Sequence, residues 1–184
     1  MVYFGPLFDL LGFMKRILSL IFTLSMACVA TQAQDSTSAT KTLPSVLLKD
    51  LDGNTVDISD YGKSGKITVI SFWATWCGPC KKELKNINEY LEDWTESYNM
   101  QLVAISTDDS RNTVKVKPFV NGQAWEFDVL LDVNQDLMRA LNAPNVPFTV
   151  IIDQKGNIVY THLGYQEGDE FELEEKLKAL NGAH

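Results

Sequence analysis

Cysteine and histidine are scarce in this 184-residue chain: three cysteines (Cys28, Cys77, Cys80) and two histidines (His162, His184). Three cysteines exclude a disulfide-stapled scaffold, and with so few partners a zinc site would lack its four ligands. Basic residues are outnumbered 16 to 24 by acidic ones, for a net charge of −8. Nucleic acid and anionic membrane surfaces are therefore excluded as electrostatic partners. Long apolar runs are missing too, since the one that follows Arg16 stops short of the ~20 residues a membrane span prefers. What remains, 45% hydrophobic and 22% charged, is the composition of a soluble domain with a sizeable core.

Two of the cysteines stand in Ser71-Phe-Trp-Ala-Thr-Trp-Cys-Gly-Pro-Cys80-Lys-Lys-Glu83. Upstream, Lys66 to Trp73 is a β-branched and aromatic run that reads as a buried strand. Downstream, Leu84, Ile87, Leu91, Trp94 and Tyr98 recur at three- and four-residue spacing, the pattern of an amphipathic helix. The pair thus sits where a strand ends and a helix begins. There, free N–H groups and the helix dipole favour an anion, which for cysteine is the reactive thiolate. Pro79 suits the first helical turn, where its missing N–H has no partner to lose. A bridge closing a two-residue loop removes little chain entropy, so it would be a poor structural staple. The residues read as a redox dithiol.

Trp76-Cys-Gly-Pro-Cys80 resembles the active site of the thioredoxin superfamily, and Phe72 to Leu84 resembles its TlpA/ResA-like branch of extracytoplasmic thiol–disulfide oxidoreductases. A second matching stretch is Val146-Pro-Phe-Thr-Val-Ile-Ile-Asp153 with Lys155-Gly-Asn157. The resemblance covers about residues 43 to 181. It implies an α/β, thioredoxin-like fold: a central mixed sheet flanked by helices, with an extra N-terminal β-hairpin. It also implies a cis Pro147 facing the dithiol, with the backbone of Val146 pairing with an extended substrate segment. Trp76, Gly78 and Pro79 flank the substrate; Cys77 attacks and Cys80 resolves. Neither cofactor nor metal is implied. The partners are disulfide-containing proteins and a membrane electron donor of the DsbD type.

The chain departs from that pattern in three places. Ser71 stands where thioredoxin carries a buried aspartate, Lys85 where relatives often place a helix-kinking proline, and Pro144 precedes the second motif. Glu83 falls where ResA-like proteins carry a glutamate near the dithiol. It is either a solvated helix residue or, if buried, an acid or base near neutrality. Trp73 is either a flank of the site or core. A peroxiredoxin-like peroxidase is the alternative function, but Ala74 stands where such enzymes place threonine; a non-enzymatic surface lipoprotein is another.

Taken in order, residues 1–33 read as an N-terminal extension and secretory signal: Lys15-Arg16, an apolar run, then small residues ending at Ala30 or Ala33. Met14 then reads as the natural start. A signal anchor is the rival reading. Leu24-Ser-Met-Ala-Cys28 loosely resembles a lipoprotein box, with Ser25 where leucine is usual. Each variant exports the domain, to the bacterial periplasm, soluble or membrane-anchored. Residues 34–42 read as a linker and 43–184 as the thioredoxin-like domain. Within it, Ser45 to Leu48 and Thr55 to Ile58 form a hairpin through Asp52-Gly-Asn54. Further strands fall at Gln101 to Ser106 and Phe127 to Leu131, and Phe148 to Asp153 forms a hairpin with Ile158 to His162. Helices are expected over Asn112 to Gln123, kinked or restarted at Pro118, over Gln135 to Leu141, and over Glu167 to Leu180 with Phe171, Leu173, Leu177 and Leu180 inward. The Thr107-Asp-Asp-Ser110 stretch reads as a solvated loop, and His162 as a bystander at a strand end.

Overall fold

A computed structural model of the chain describes residues 41–182. The expectations for the signal, Met14, Cys28 and most of the linker lie outside the described residues. In order, the elements are β1 (Leu47–Asp50), β2 (Thr55–Asp57), a 3-10 turn (Ile58–Lys63), β3 (Ile67–Trp73), α1 (Gly78–Tyr98), β4 (Met100–Ser106), a second 3-10 turn (Thr113–Lys115), α2 (Val116–Gln123), β5 (Asp128–Leu131), α3 (Asp136–Ala140), β6 (Phe148–Ile152), β7 (Ile158–Leu163) and α4 (Asp169–Asn181).

The strands form one mixed sheet in the order β2-β1-β5-β4-β3-β6-β7. β3, β4 and β5 run parallel, and the other neighbours pair antiparallel. β3 is buried at every position, which is why it reads as a continuous apolar run and not as an alternating one. Its alternate residues serve two cores. Ile67, Val69 and Trp73 pack with Leu84, Ile87 and Trp94 of α1, Val116 and Val120 of α2, and Leu173 and Leu177 of α4. Ile70 and Phe72 face Ile58 of the 3-10 turn and Leu137 and Met138 of α3.

The expected N-terminal hairpin is present, and its β1 extends the sheet by pairing with β5. Its turn and the β6–β7 turn share one design. The Asp50 carboxylate accepts from the Asp52 and Asn54 N–H groups and the Asn54 side chain. Asp153 does the same with Lys155 and Asn157. Each turn passes through a glycine at positive φ, Gly53 and Gly156. At Gly156 the requirement is double, because an added Cβ would lie 2.7 Å from the Gly62 carbonyl oxygen.

Three expectations are corrected. Pro118 does not kink a helix that runs from Asn112; a 3-10 turn precedes α2, and Pro118 is the third residue of α2, where its missing N–H costs nothing. Leu173, Leu177 and Leu180 of α4 pack inward as expected, but Phe171 is 56% exposed and Glu170 takes the buried place beside it. The Thr107–Ser110 stretch is solvated only in its second half: Asp109 and Ser110 are exposed, but Thr107 and Asp108 are buried.

Candidate active site

β3 delivers the chain into a turn, Ala74-Thr75-Trp76, that ends on Cys77. The turn is held from the exit of β4. The Asp108 carboxylate accepts from the Thr75 N–H at 2.8 Å, the Thr75 hydroxyl at 2.6 Å and the Ser106 hydroxyl at 2.9 Å. The Thr107 N–H donates to the Trp73 carbonyl at 2.8 Å, and the Cys77 N–H to that of Ala74 at 3.0 Å. Cys77 is the N-cap of α1, extended at φ −85°, and its Sγ accepts from the Cys80 N–H at 3.3 Å. A side-chain acceptor at this position satisfies one of the helix's free donors. The same N–H and the helix dipole stabilise negative charge on that sulfur.

Cys77 and Cys80 are joined as a disulfide with their Cα atoms 5.4 Å apart. Cys80 is fully buried and Cys77 only 6% exposed. Around them the surface is open: Trp76 is 66% exposed, Gly78 and Pro79 are exposed, and a Cβ on Gly78 would meet nothing within 4 Å. The Val146–Pro147 bond is cis. β6 pairs with β3 in a register that sets Phe148, the residue after Pro147, opposite Phe72. Val146 packs against the cluster that holds both cysteines, and Pro144 stands exposed on the loop before it. Trp73 is core. It packs on Phe119 at 5.5 Å and Trp125 at 5.2 Å between ring centroids, and its Nε1 has no acceptor among the described residues.

Glu83, one turn into α1 beyond Cys80, is buried. Of the two readings open in the sequence, the solvated helix glutamate is therefore excluded. Its carboxylate accepts from the Thr149 hydroxyl at 2.6 Å and the Ser71 hydroxyl at 3.1 Å. Those hydroxyls stand directly opposite each other across β3 and β6. Burial pushes the Glu83 carboxyl up to about 7, opposed by these two hydrogen bonds. Ser71 thus donates to a buried carboxylate supplied by α1. Lys85 lies on the outer face, 3.8 Å from Glu89, and α1 runs through it without a break.

His162 lies near the end of β7, as expected. It is the register partner of Thr149 on β7, its Nε2 lies 3.2 Å from Asp169 Oδ2, and it lines a narrow cavity shared with Glu83. The residues that sequence reasoning missed are Thr149, His162 and Asp108. The first had a signal: Ser71 and Thr149 each put a hydroxyl into an otherwise apolar β3 or β6. The other two had none: Asp108 meets Thr75 33 residues back, and His162 is placed by strand pairing with Thr149.

The AhpC/TSA family matches residues 39–161. The thiol–disulfide oxidoreductase ResA of Bacillus thuringiensis is 30% identical over 132 residues, covering 72% of this chain and 73% of that protein. Among solved structures, an uncharacterized thioredoxin-like protein from Porphyromonas gingivalis is 44% identical with a TM-score of 0.69, covering 77% of this chain and 94% of that one. A putative thiol:disulfide interchange protein DsbE from Chlorobium tepidum is 26% identical with a TM-score of 0.68, covering 77% and 96%. Matched this widely and folded this way, the chain belongs to the AhpC/TSA family, as a ResA-like thiol–disulfide oxidoreductase of thioredoxin-like fold.

Proposed function

We propose that this oxidoreductase works outside the cytoplasm as a reductant of protein disulfides, cycling Cys77 and Cys80 between dithiol and disulfide. The observation that carries this reading is the pair of environments at the head of α1. Cys77 Sγ accepts the Cys80 N–H at the N-cap, and Glu83, three residues past Cys80, is buried with its carboxyl at about 7. In the first step the Cys77 thiolate attacks a substrate disulfide, forming a mixed disulfide and releasing one substrate thiolate. In the second, Cys80 passes its S–H proton to the Glu83 carboxylate and attacks Cys77 Sγ. The Cys77–Cys80 bond forms and the second substrate thiolate leaves. Two electrons from a donor dithiol, of the membrane-embedded DsbD type, restore the reduced pair.

Substrate selection is assigned to the open surface at Trp76, Gly78 and Pro79, and to the backbone of Val146 beside Pro147, which pairs with an extended segment. The Gly78-Pro79 dipeptide is thioredoxin's, a reducing couple near about −270 mV, and it supports reduction over oxidation. Export is supported by the basic, apolar and small-residue sequence of Lys15 to Ala33. Cysteine pairs of apocytochrome c are the substrate class that this reading favours. Among the described residues, no helix is long and apolar enough to cross a membrane. The peroxidase reading lacks its hydroxyl. Ala74 offers none, and that of Thr75 is committed to Asp108.

The test is a Cys80→Ser variant expressed in cells and captured with its mixed disulfides intact. The expected result is covalent adducts through Cys77 that reducing agent releases, together with loss of insulin reduction. Absence of adducts alongside vigorous peroxide consumption by the unaltered protein would overturn the reading.

A further inference from the structure

A row of polar side chains leads away from the dithiol. Ser71 on β3, Thr149 on β6 and His162 on β7 are successive register partners, so all three share the sheet face beneath α1 and α4. Ser71 and Thr149 hold the Glu83 carboxylate. At the far end, the His162 ring is stacked on Tyr160 at 6.3 Å. The side chains of His162 and Asp169 are 32% and 29% exposed, so this end of the row touches solvent. Glu83 does not. Between them lies a cavity of about 20 Å³, lined by Glu83, Thr149, His162 and Asp169 among others. That is room for one water molecule among several polar partners.

We propose that His162, held by Asp169, carries protons between Glu83 and solvent through this cavity, so that the buried carboxyl is reset from the β7–α4 side while substrate covers the dithiol. The inference rests on the reading of Glu83 as the acid–base group. When Cys80 is deprotonated in the resolving step, Glu83 gains one proton. The imidazole takes that proton through one water, becomes imidazolium beside the Asp169 carboxylate, and releases it to bulk. The relay moves no electron and makes or breaks no heavy-atom bond.

The other groups around the cavity are poor carriers. Burial and Glu172 push the Tyr160 phenol up to about 12. Burial and Glu170 push Tyr165 up as well. Both therefore keep their protons. Burial also pushes the Glu170 carboxyl up, but hydrogen bonds from its own N–H, the Tyr165 hydroxyl and the Gly168 N–H outweigh that and hold it below the usual range. On α1, Ile87 supplies an apolar wall. Histidine is the side chain suited to shuttling protons near neutrality. The imidazolium favours the Glu83 carboxylate, while the Asp169 charge disfavours it.

The test uses the full chain in repeated-turnover reduction of a peptide disulfide, with excess dithiothreitol re-reducing the pair, from pH 5.5 to 9. The variants are His162→Ala, His162→Gln, Glu83→Gln and the His162→Ala/Glu83→Gln double. Glutamine keeps a donor to Asp169 and preserves folding, but carries no proton. The proposal expects both His162 variants to slow turnover by about tenfold or more, with an altered pH profile. It also expects added imidazole to restore His162→Ala but not the double variant. His162→Gln at the wild-type rate and profile, with Glu83→Gln slow, overturns the relay and leaves Glu83's role standing. Failure of imidazole to restore His162→Ala also overturns it. A fully active Glu83→Gln overturns the reading of Glu83, and the relay with it.

Discussion

Replacing Glu83 by glutamine tests the electrostatics of the site without any enzymology. Burial moves this carboxyl from the ordinary 4.5 to about 7, so the folded protein holds its proton more tightly than the unfolded chain does. The stability this contributes is fully present below about pH 4.5 and is lost as pH rises through about 7. At about 1.4 kcal/mol for each decade of proton affinity, the loss is about 3 kcal/mol. Glutamine has nothing to titrate, and its amide still offers Thr149 and Ser71 polar partners. The stability of Glu83→Gln relative to the unaltered protein should therefore climb by about 3 kcal/mol between pH 4.5 and 8. In urea, with an m-value of about 2 kcal/mol/M, that is a relative midpoint shift of about 1.5 M. The assay is urea unfolding of both bridged proteins at half-unit pH steps. A difference that stays flat from pH 5 to 8 would refute the reasoning, because it would mean that Glu83 titrates as a solvated glutamate does.

Asp108→Ala should cost about 3 kcal/mol or more, since it strands the Thr75 N–H and two hydroxyls; thermal melts should fall by roughly 10 °C, and an unchanged melt would remove the clamp from the account. Gly156→Ala should destabilise more than Gly53→Ala. Both glycines have positive φ, worth about 1–2 kcal/mol against alanine, but only at Gly156 does the new Cβ meet backbone, at 2.7 Å. Equal losses in denaturant midpoints would contradict that distinction.

Features written in local pattern were legible in the sequence. The apolar run of β3, the three- and four-residue spacing of α1 and the two Asp-x-x-Gly-Asn turns each carry their own signal. The candidate site was legible as far as Cys77, Cys80 and the Val146–Pro147 stretch. What stayed hidden was set by tertiary contact. Burial of Glu83 depends on β6 arriving beside β3 and bringing Thr149, 66 residues from Glu83 along the chain, to its carboxylate. Asp108 looks like one of two loop acids until Thr75, 33 residues back, is brought to it. His162 joins the site only because Thr149 is its strand partner. On α4, Phe171 and Glu170 exchanged their expected places. Tyr165, Asn86 and the Gly168 N–H satisfy the buried carboxylate, while the Phe171 ring lies 6.1 Å from that of Tyr90 near the surface.

The hairpin that lengthens the sheet also decides what it presents to other molecules. Without β1, the backbone of β5 would be an open row of donors and acceptors, an invitation to stack with a second copy. As folded, that border is β2, three residues long, with Asp57 tied to Ser45 and Ser59. At the opposite border, the start of β7 is engaged by Lys41 and Thr42. At the β2 border, a molecule that displays a bare tryptophan beside its reactive sulfur thus offers newcomers little ribbon on which to aggregate.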